Sequence, residues 1–158
     1  MNENRNKFFM QKAFKQANNA LEIDEVPIGA VIVFNDEIIG EGFNKSIKKS
    51  DPTAHAEIIA IQSAGNKKNN YRLVDCDLFV TLEPCIMCFG AIMHARIKNV
   101  YYAANDSKQG VCGGFIDLTL NKSLNHHCSF HQGLMHSESK RLLQQFFKEK
   151  RIKKTALK

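Results

Sequence analysis

No stretch of this 158-residue chain approaches the ~20 consecutive apolar residues that a membrane-spanning helix requires, so a membrane protein is excluded. Nor is a secretory leader expected. Met1 to Lys7 is polar, and Phe8 to Leu21 is interrupted by Gln, Lys and Asn where a leader would carry an unbroken apolar core and a cleavage site. The cysteines, at 76, 85, 88, 112 and 128, do not form an even set, and a chain of this length buries enough core to fold without staples. A disulfide framework is therefore not expected, and a reducing, cytoplasmic setting is. There is no internal repeat and no low-complexity block. With 44% hydrophobic and 24% charged residues, neither a disordered nor a collagen-like chain fits. What these absences leave is one globular domain spanning residues 1–158.

Acidic residues are in the minority, 16 against 22 Lys and Arg, for a net charge of +6. Such a balance favours polyanionic partners. The excess collects at one end, where Lys140, Arg141, Lys148, Lys150, Arg151, Lys153, Lys154 and Lys158 face Glu149 alone. A run of this kind reads either as a solvated face and tail or as a phosphate-binding surface, and the charge pattern leaves both open.

Apolar spacing predicts an opening amphipathic helix over Lys7 to Leu21. Gly29 to Phe34 is a short β-branched run expected of a strand buried on both faces, and Asn35-Asp36 turns the chain into a second strand, Glu37 to Phe43. Asn44 to Thr53 reads as a polar loop. A helical pattern follows from Ala54 to Ala64, with Gly65-Asn66 as its end. Leu78 to Leu82 is a third strand, and Pro84 suits the first turn of a helix running to Ala95. Lys98 to Ala104 is a fourth strand and Asn105 to Gly114 a loop. Asp117 to Leu120 reads as a short helical turn, Cys128 to His131 as a fifth, edge strand, and Ser137 to Lys154 as a closing helix with Leu142, Leu143, Phe146 and Phe147 inward. Strands alternating with helices after an initial hairpin imply an α/β fold, a three-layer α/β/α sandwich around a mixed five-stranded sheet.

Two short stretches carry the chemistry. Cys85 and Cys88, three apart at a helix start, turn both thiols one way, and the helix N-terminus favours thiolates there. Cys-x-x-Cys alone also fits a redox pair or half of a structural zinc knuckle. His55 and Glu57 alone say less, since on a regular helix they stand about 200° apart. They address one site only if His55 stands at the helix start. Taken together, one imidazole, two thiols and one carboxylate suffice to hold a zinc ion with three protein ligands, leave its fourth position to water, and place a proton-transfer group beside it.

The order His-x-Glu, then Pro-Cys-x-x-Cys at the next helix, is the known signature of zinc-dependent nucleobase deaminases. Further residues extend the similarity along nearly the whole chain: Glu25 to Ala30, Asn44, Asp51 to Glu57, Thr81 to Cys88, Gly90-Ala91 and Asp106 to Gly110. The chain resembles the bacterial tRNA-specific adenosine deaminases of the cytidine-deaminase-like superfamily. The Asp106 loop, Leu124-Asn125-His126 and Phe146-Phe147-Lys148 point to the tRNA enzymes in particular.

The resemblance implies hydrolysis of the wobble adenosine of an arginine tRNA anticodon to inosine, with release of ammonia, by a homodimer holding one Zn2+ per subunit. It implies His55, Cys85 and Cys88 as ligands and Glu57 as proton shuttle. It places Asn44 and the Ala56 N–H against the flipped base, and Val26, Pro27, Ile28 and Pro84 around it. Asp106 would touch RNA beside the target, and Lys108, Lys148, Lys150 and Arg151 would meet its backbone. Phe89 and Cys112 depart from the usual small residues, which leaves dimer packing and a metal role for Cys112 or His131 open. Two other readings compete: a deaminase of a free base such as guanine or cytosine, and a noncatalytic RNA-binding module held together by zinc.

Overall fold

The computed structural model describes residues 2–158. In chain order the elements are α1 (Glu3–Glu22), β1 (Gly29–Phe34), β2 (Glu37–Phe43), α2 (Ser46–Lys49), α3 (Ala56–Lys68), β3 (Asp77–Leu82), α4 (Ile86–Ala95), β4 (Asn99–Ala104), β5 (Ser129–Gln132) and α5 (His136–Ala156). The five strands form one sheet in the order β2-β1-β3-β4-β5. β1 runs antiparallel to β2 and β3, whereas β3, β4 and β5 are parallel. The sheet is mixed, as the hairpin followed by strand–helix alternation implies.

Alternation along the strands separates two cores. Ala30, Ile32, Leu78, Val80 and Val100 face one side, where Ala56, Ala60 and Ala64 of α3 and Phe89 and Ile92 of α4 close over them. Val31, Val33, Phe79 and Tyr101 face the other, beneath Phe9, Met10 and Ala13 of α1. α5 lies beside the end of α1, with Lys150 Nζ 2.5 Å from Asp24 Oδ2. Asn35 and Asp36 both have positive φ, 49° and 60°, as a tight hairpin turn of matching twist requires.

Local chemistry moves several boundaries. α1 begins earlier than Lys7 because Asn2 caps it, its side chain accepting from the Arg5 N–H at 3.1 Å. The polar stretch after Asn44 holds the turn of helix α2. α3 runs through Gly65-Asn66 to Lys68, and Asn69 supplies the left-handed cap at φ 51°. Pro84 lies just outside α4, for which Cys85 is the N-cap. Asp117 to Leu120 forms no helix: Asp117 bridges to Cys112, and its carboxylate accepts from the Thr119 N–H at 2.9 Å. On α5, Phe146 is buried but Phe147, a hundred degrees on, is 45% exposed.

One close approach fixes where α3 starts. A Cβ on Gly42 would stand 2.3 Å from the Ala56 carbonyl oxygen, and one on Gly40 would stand 2.3 Å from that of Ala60. β2 thus carries α3 in backbone contact, and the first turn of the helix inherits its position from the sheet. Gly42→Ala is expected to cost about 1–3 kcal/mol through overpacking. Thermal unfolding checks this, and an unchanged midpoint would contradict it.

Candidate active site

His55 and Cys85 occupy equivalent places, each the N-cap of its helix with extended backbone, φ −79° and ψ 156° for His55, φ −78° and ψ 174° for Cys85. Because an N-cap residue has left the helical spiral, its side chain is free to turn back across the helix end. His55 Nδ1 lies 3.7 Å from Cys85 Sγ and 3.6 Å from Cys88 Sγ. Zn–N and Zn–S bonds of ordinary length at a tetrahedral angle place such donors about 3.6 Å apart. Among the described residues these three form the one group of His, Cys, Asp and Glu donors close enough to share an ion. The set fits zinc: one nitrogen, two sulfurs and no fourth protein donor, as catalytic rather than structural sites are built.

Glu57 follows at the second position of α3 and is 4% exposed. Burial pushes its carboxyl up to about 7, and its place beside the donor group suits it to take and give a proton there. Cys85 is held down at about 4, chiefly because the Cys88 thiol donates to it and also through His55. The same shared proton pushes Cys88 up, together with its burial.

The expected base-binding residues gather at the same end of α3. Asn44 is buried, and its Oδ1 accepts from the Ala56 N–H at 2.8 Å. The two groups expected to meet the base therefore meet each other, and the contact fixes the Asn44 amide with its Nδ2 donors left for a ligand. The Asn44 N–H donates to the Ile28 carbonyl at 3.2 Å, which brings Val26, Pro27 and Ile28 to the same side. Lys45 donates from its backbone to Ala54 at 2.9 Å, closing the α2 turn over the chain that enters His55. Glu25, 2% exposed, anchors that turn by accepting from the Lys48 N–H at 2.6 Å.

Pro84 is buried beside Cys85, and its carbonyl accepts from the Val111 N–H at 3.1 Å. Gly110 bridges to Cys85 itself. The loop bearing Asp106 and Lys108 is thereby laid against the ligand-bearing segment. Its organiser is Glu83, the residue just before Pro84. Glu83 is 2% exposed and accepts backbone hydrogen bonds from Asp106 at 2.8 Å, Cys112 at 2.7 Å and Gly114 at 2.8 Å. The available signal was a carboxylate between Leu82 and Pro84, at the end of a buried strand, with Gly110 and Gly114 downstream.

Other candidates stand apart. Cys112 is buried and lies outside the donor group, as does His131, whose ring stacks on Tyr101 at 4.6 Å. Phe89 is 4% exposed and stacks on Phe130 at 5.6 Å, so it packs within its own chain. Lys150 is taken up by Asp24, while Lys148 and Arg151 are exposed along α5.

Residues 3–104 match the cytidine and deoxycytidylate deaminase zinc-binding region, and the chain belongs to that family of zinc-dependent deaminases. Within the family the similarity runs to enzymes of RNA. The chain is 44% identical over 156 residues to the tRNA-specific adenosine deaminase of Buchnera aphidicola subsp. Schizaphis graminum, covering 96% of this chain and 100% of that one. A solved tRNA:A34 deaminase, from work on A-to-I editing at the wobble position, superposes with a TM-score of 0.80 at 40% identity, over 86% of this chain and 99% of that one. The guanine deaminase of Bacillus subtilis is more distant: TM-score 0.60 and 37% identity, over 79% and 83% of the two chains.

Proposed function

We infer that this chain is a tRNA adenosine deaminase, hydrolysing adenosine to inosine at the wobble position of an anticodon with release of ammonia. The observation that carries the reading is the similarity to a tRNA-specific adenosine deaminase over essentially the full length of both chains, joined to a donor group of the right geometry. His55, Cys85 and Cys88 would hold the metal. Zinc, when bound, lowers the pKa of water toward ~7 and so supplies a nucleophile at neutral pH. Glu57 would pass one proton of the attacking water to purine N1 and, once the water oxygen has bonded to C6, the second to the departing amine. Water is consumed, the C–N bond to the exocyclic amine breaks, and Glu57 ends as it began.

Asn44 donates from Nδ2 to the base, and Val26, Pro27, Ile28 and Pro84 wall the pocket. Ala56, its N–H held by Asn44, acts by fixing that amide. An anticodon loop suits such a pocket because a base already outside a duplex leaves its stack at least cost. On the resemblance we take the substrate to be an arginine tRNA, read beside the target by Asp106. A homodimer is consistent with the exposed apolar side chains Ile86, Phe115 and Leu120 around the Cys85 end of α4 and the loop packed on it. The free thiols and the substrate agree with a cytoplasmic enzyme.

The B. subtilis relative makes free guanine the competing substrate. Ammonia release from an anticodon stem-loop and from free guanine, measured side by side, decides between them: turnover of the stem-loop alone is expected, and turnover of guanine alone would overturn the reading. Lys148 and Arg151 meet the RNA backbone in this account, so binding should weaken with salt as counterions are released. Replacing both by Ala is expected to flatten the slope of log K against log salt by about 1.4, at roughly 0.7 per contact to a single strand. An unchanged slope in a filter-binding titration would return α5 to the role of a solvated face.

A further inference from the structure

Glu83 sits one residue before Pro84-Cys85, yet its carboxylate is directed at a distant loop rather than at the metal ligands. Oε2 accepts the Asp106 N–H at 2.8 Å, and Oε1 accepts those of Cys112 and Gly114 at 2.7 and 2.8 Å. A buried carboxyl group is tolerated only when its lone pairs are filled, and here three backbone N–H groups fill them. The loop is shaped to admit it. A Cβ on Gly110 would lie 2.4 Å from Glu83 Cδ, and one on Gly114 would lie 2.2 Å from Oε2. Glycine stands at both places where the loop closes around the carboxylate.

The contact reaches Asp106 through its backbone. The Asp106 carboxylate accepts from the Lys108 and Gln109 N–H groups at 2.9 and 3.2 Å, so its side chain is locked to its own turn. Whatever fixes the Asp106 N–H therefore fixes its carboxylate. The other end of the loop is tied to the ligand segment by the Val111 bond to Pro84 and the Gly110 bridge to Cys85. We propose that Glu83 is a positioning residue: it sets where Asp106 stands relative to the Cys85–Cys88 helix start, and so governs RNA binding rather than the deamination step. The proposal rests on the reading of Asp106 as an RNA contact.

Glu83→Gln separates the two ends of the clamp. The amide oxygen can keep the Cys112 and Gly114 bonds, while its NH2 group opposes the Asp106 N–H. In the zinc-loaded protein, amide exchange at Asp106 is expected to rise about tenfold, on the order of one lost hydrogen bond, with Cys112 and Gly114 still protected. KM for an anticodon stem-loop should rise about tenfold, with kcat within a factor of about two and zinc content unchanged. Glu83→Asp, which keeps the carboxylate but draws it back by one methylene from the Asp106 N–H, should also raise KM and serves if Glu83→Gln does not fold. In the double variant with Asp106→Ala, the Glu83→Gln cost should disappear, because both changes act on one contact.

A wild-type KM in Glu83→Gln, alongside a raised KM in Asp106→Ala, overturns the positioning role. So does full additivity of the two costs, or a loss confined to kcat. A wild-type KM in Asp106→Ala itself is a different result: it removes the RNA-contact reading and the proposal with it.

Discussion

Glu57→Gln is expected to lower inosine formation by about 10²- to 10⁴-fold, the usual worth of a positioned proton-transfer group, while the protein still binds one zinc per chain. The substitution keeps shape and hydrogen-bonding capacity but removes the ability to carry a proton between water and leaving amine. Glu57 is 4% exposed, so bulk water has poor access to the proton it handles and is a weak substitute. The donor group of His55, Cys85 and Cys88 does not include it, which is why metal content should stay. Metal analysis and single-turnover kinetics on a stem-loop make the check. Loss of both zinc and activity would mean that Glu57 supports the metal, and full activity would remove it from the chemistry.

Cys88→Ala is expected to abolish both zinc binding and turnover. The thiol is fully buried at the third position of α4, 3.6 Å from His55 Nδ1, and no further donor stands in the group to replace it. Two remaining ligands from different helices leave a weak site. The effect extends to stability, because an ion shared by His55 on α3's cap and the two cysteines at the start of α4 adds a tie between two helices that already pack on each other. Any ligand that binds only the folded state stabilises it, by about 2.7 kcal/mol at a hundredfold excess over Kd, or roughly 5–10 °C in Tm for a chain of this size. Wild-type protein should lose that increment on chelation, and Cys88→Ala should show no zinc-dependent shift at all. A zinc-dependent rise in Tm of the variant would contradict the ligand assignment.

The parts of the site that depend on short spacing were legible in the sequence. The conflict between His55 and Glu57 on one spiral had one resolution, a helix that starts at His55, and the extended N-cap backbone of His55 provides it. Cys85 and Cys88 followed from the same logic. Pro84 stands two positions before the first helical residue, Ile86, because Cys85 takes the cap, a shift that the missing N–H of proline does not register. Asn2 and Asp117 through their side chains, and Asn69 through its left-handed backbone, set element ends that hydrophobic periodicity does not register.

What the sequence hid are contacts between distant segments. That Asn44 and the Ala56 N–H satisfy each other depends on β2 delivering residue 44 to the start of α3, which the bare backbone of Gly42 makes possible. Glu83 was unreadable for the same reason: a carboxylate in a sequence looks solvent-bound until a loop some thirty residues on is seen to wrap it. The resemblance makes Lys150 a phosphate contact, and its pairing with Asp24 joins residues at opposite ends of the chain.

The most direct test is to incubate the zinc-loaded protein with total cellular tRNA and map inosine by sequencing. Inosine should appear at the wobble position of an arginine tRNA anticodon, and Glu57→Gln should leave that position as adenosine. Unmodified tRNA throughout, with ammonia released from a free base under the same conditions, would contradict it.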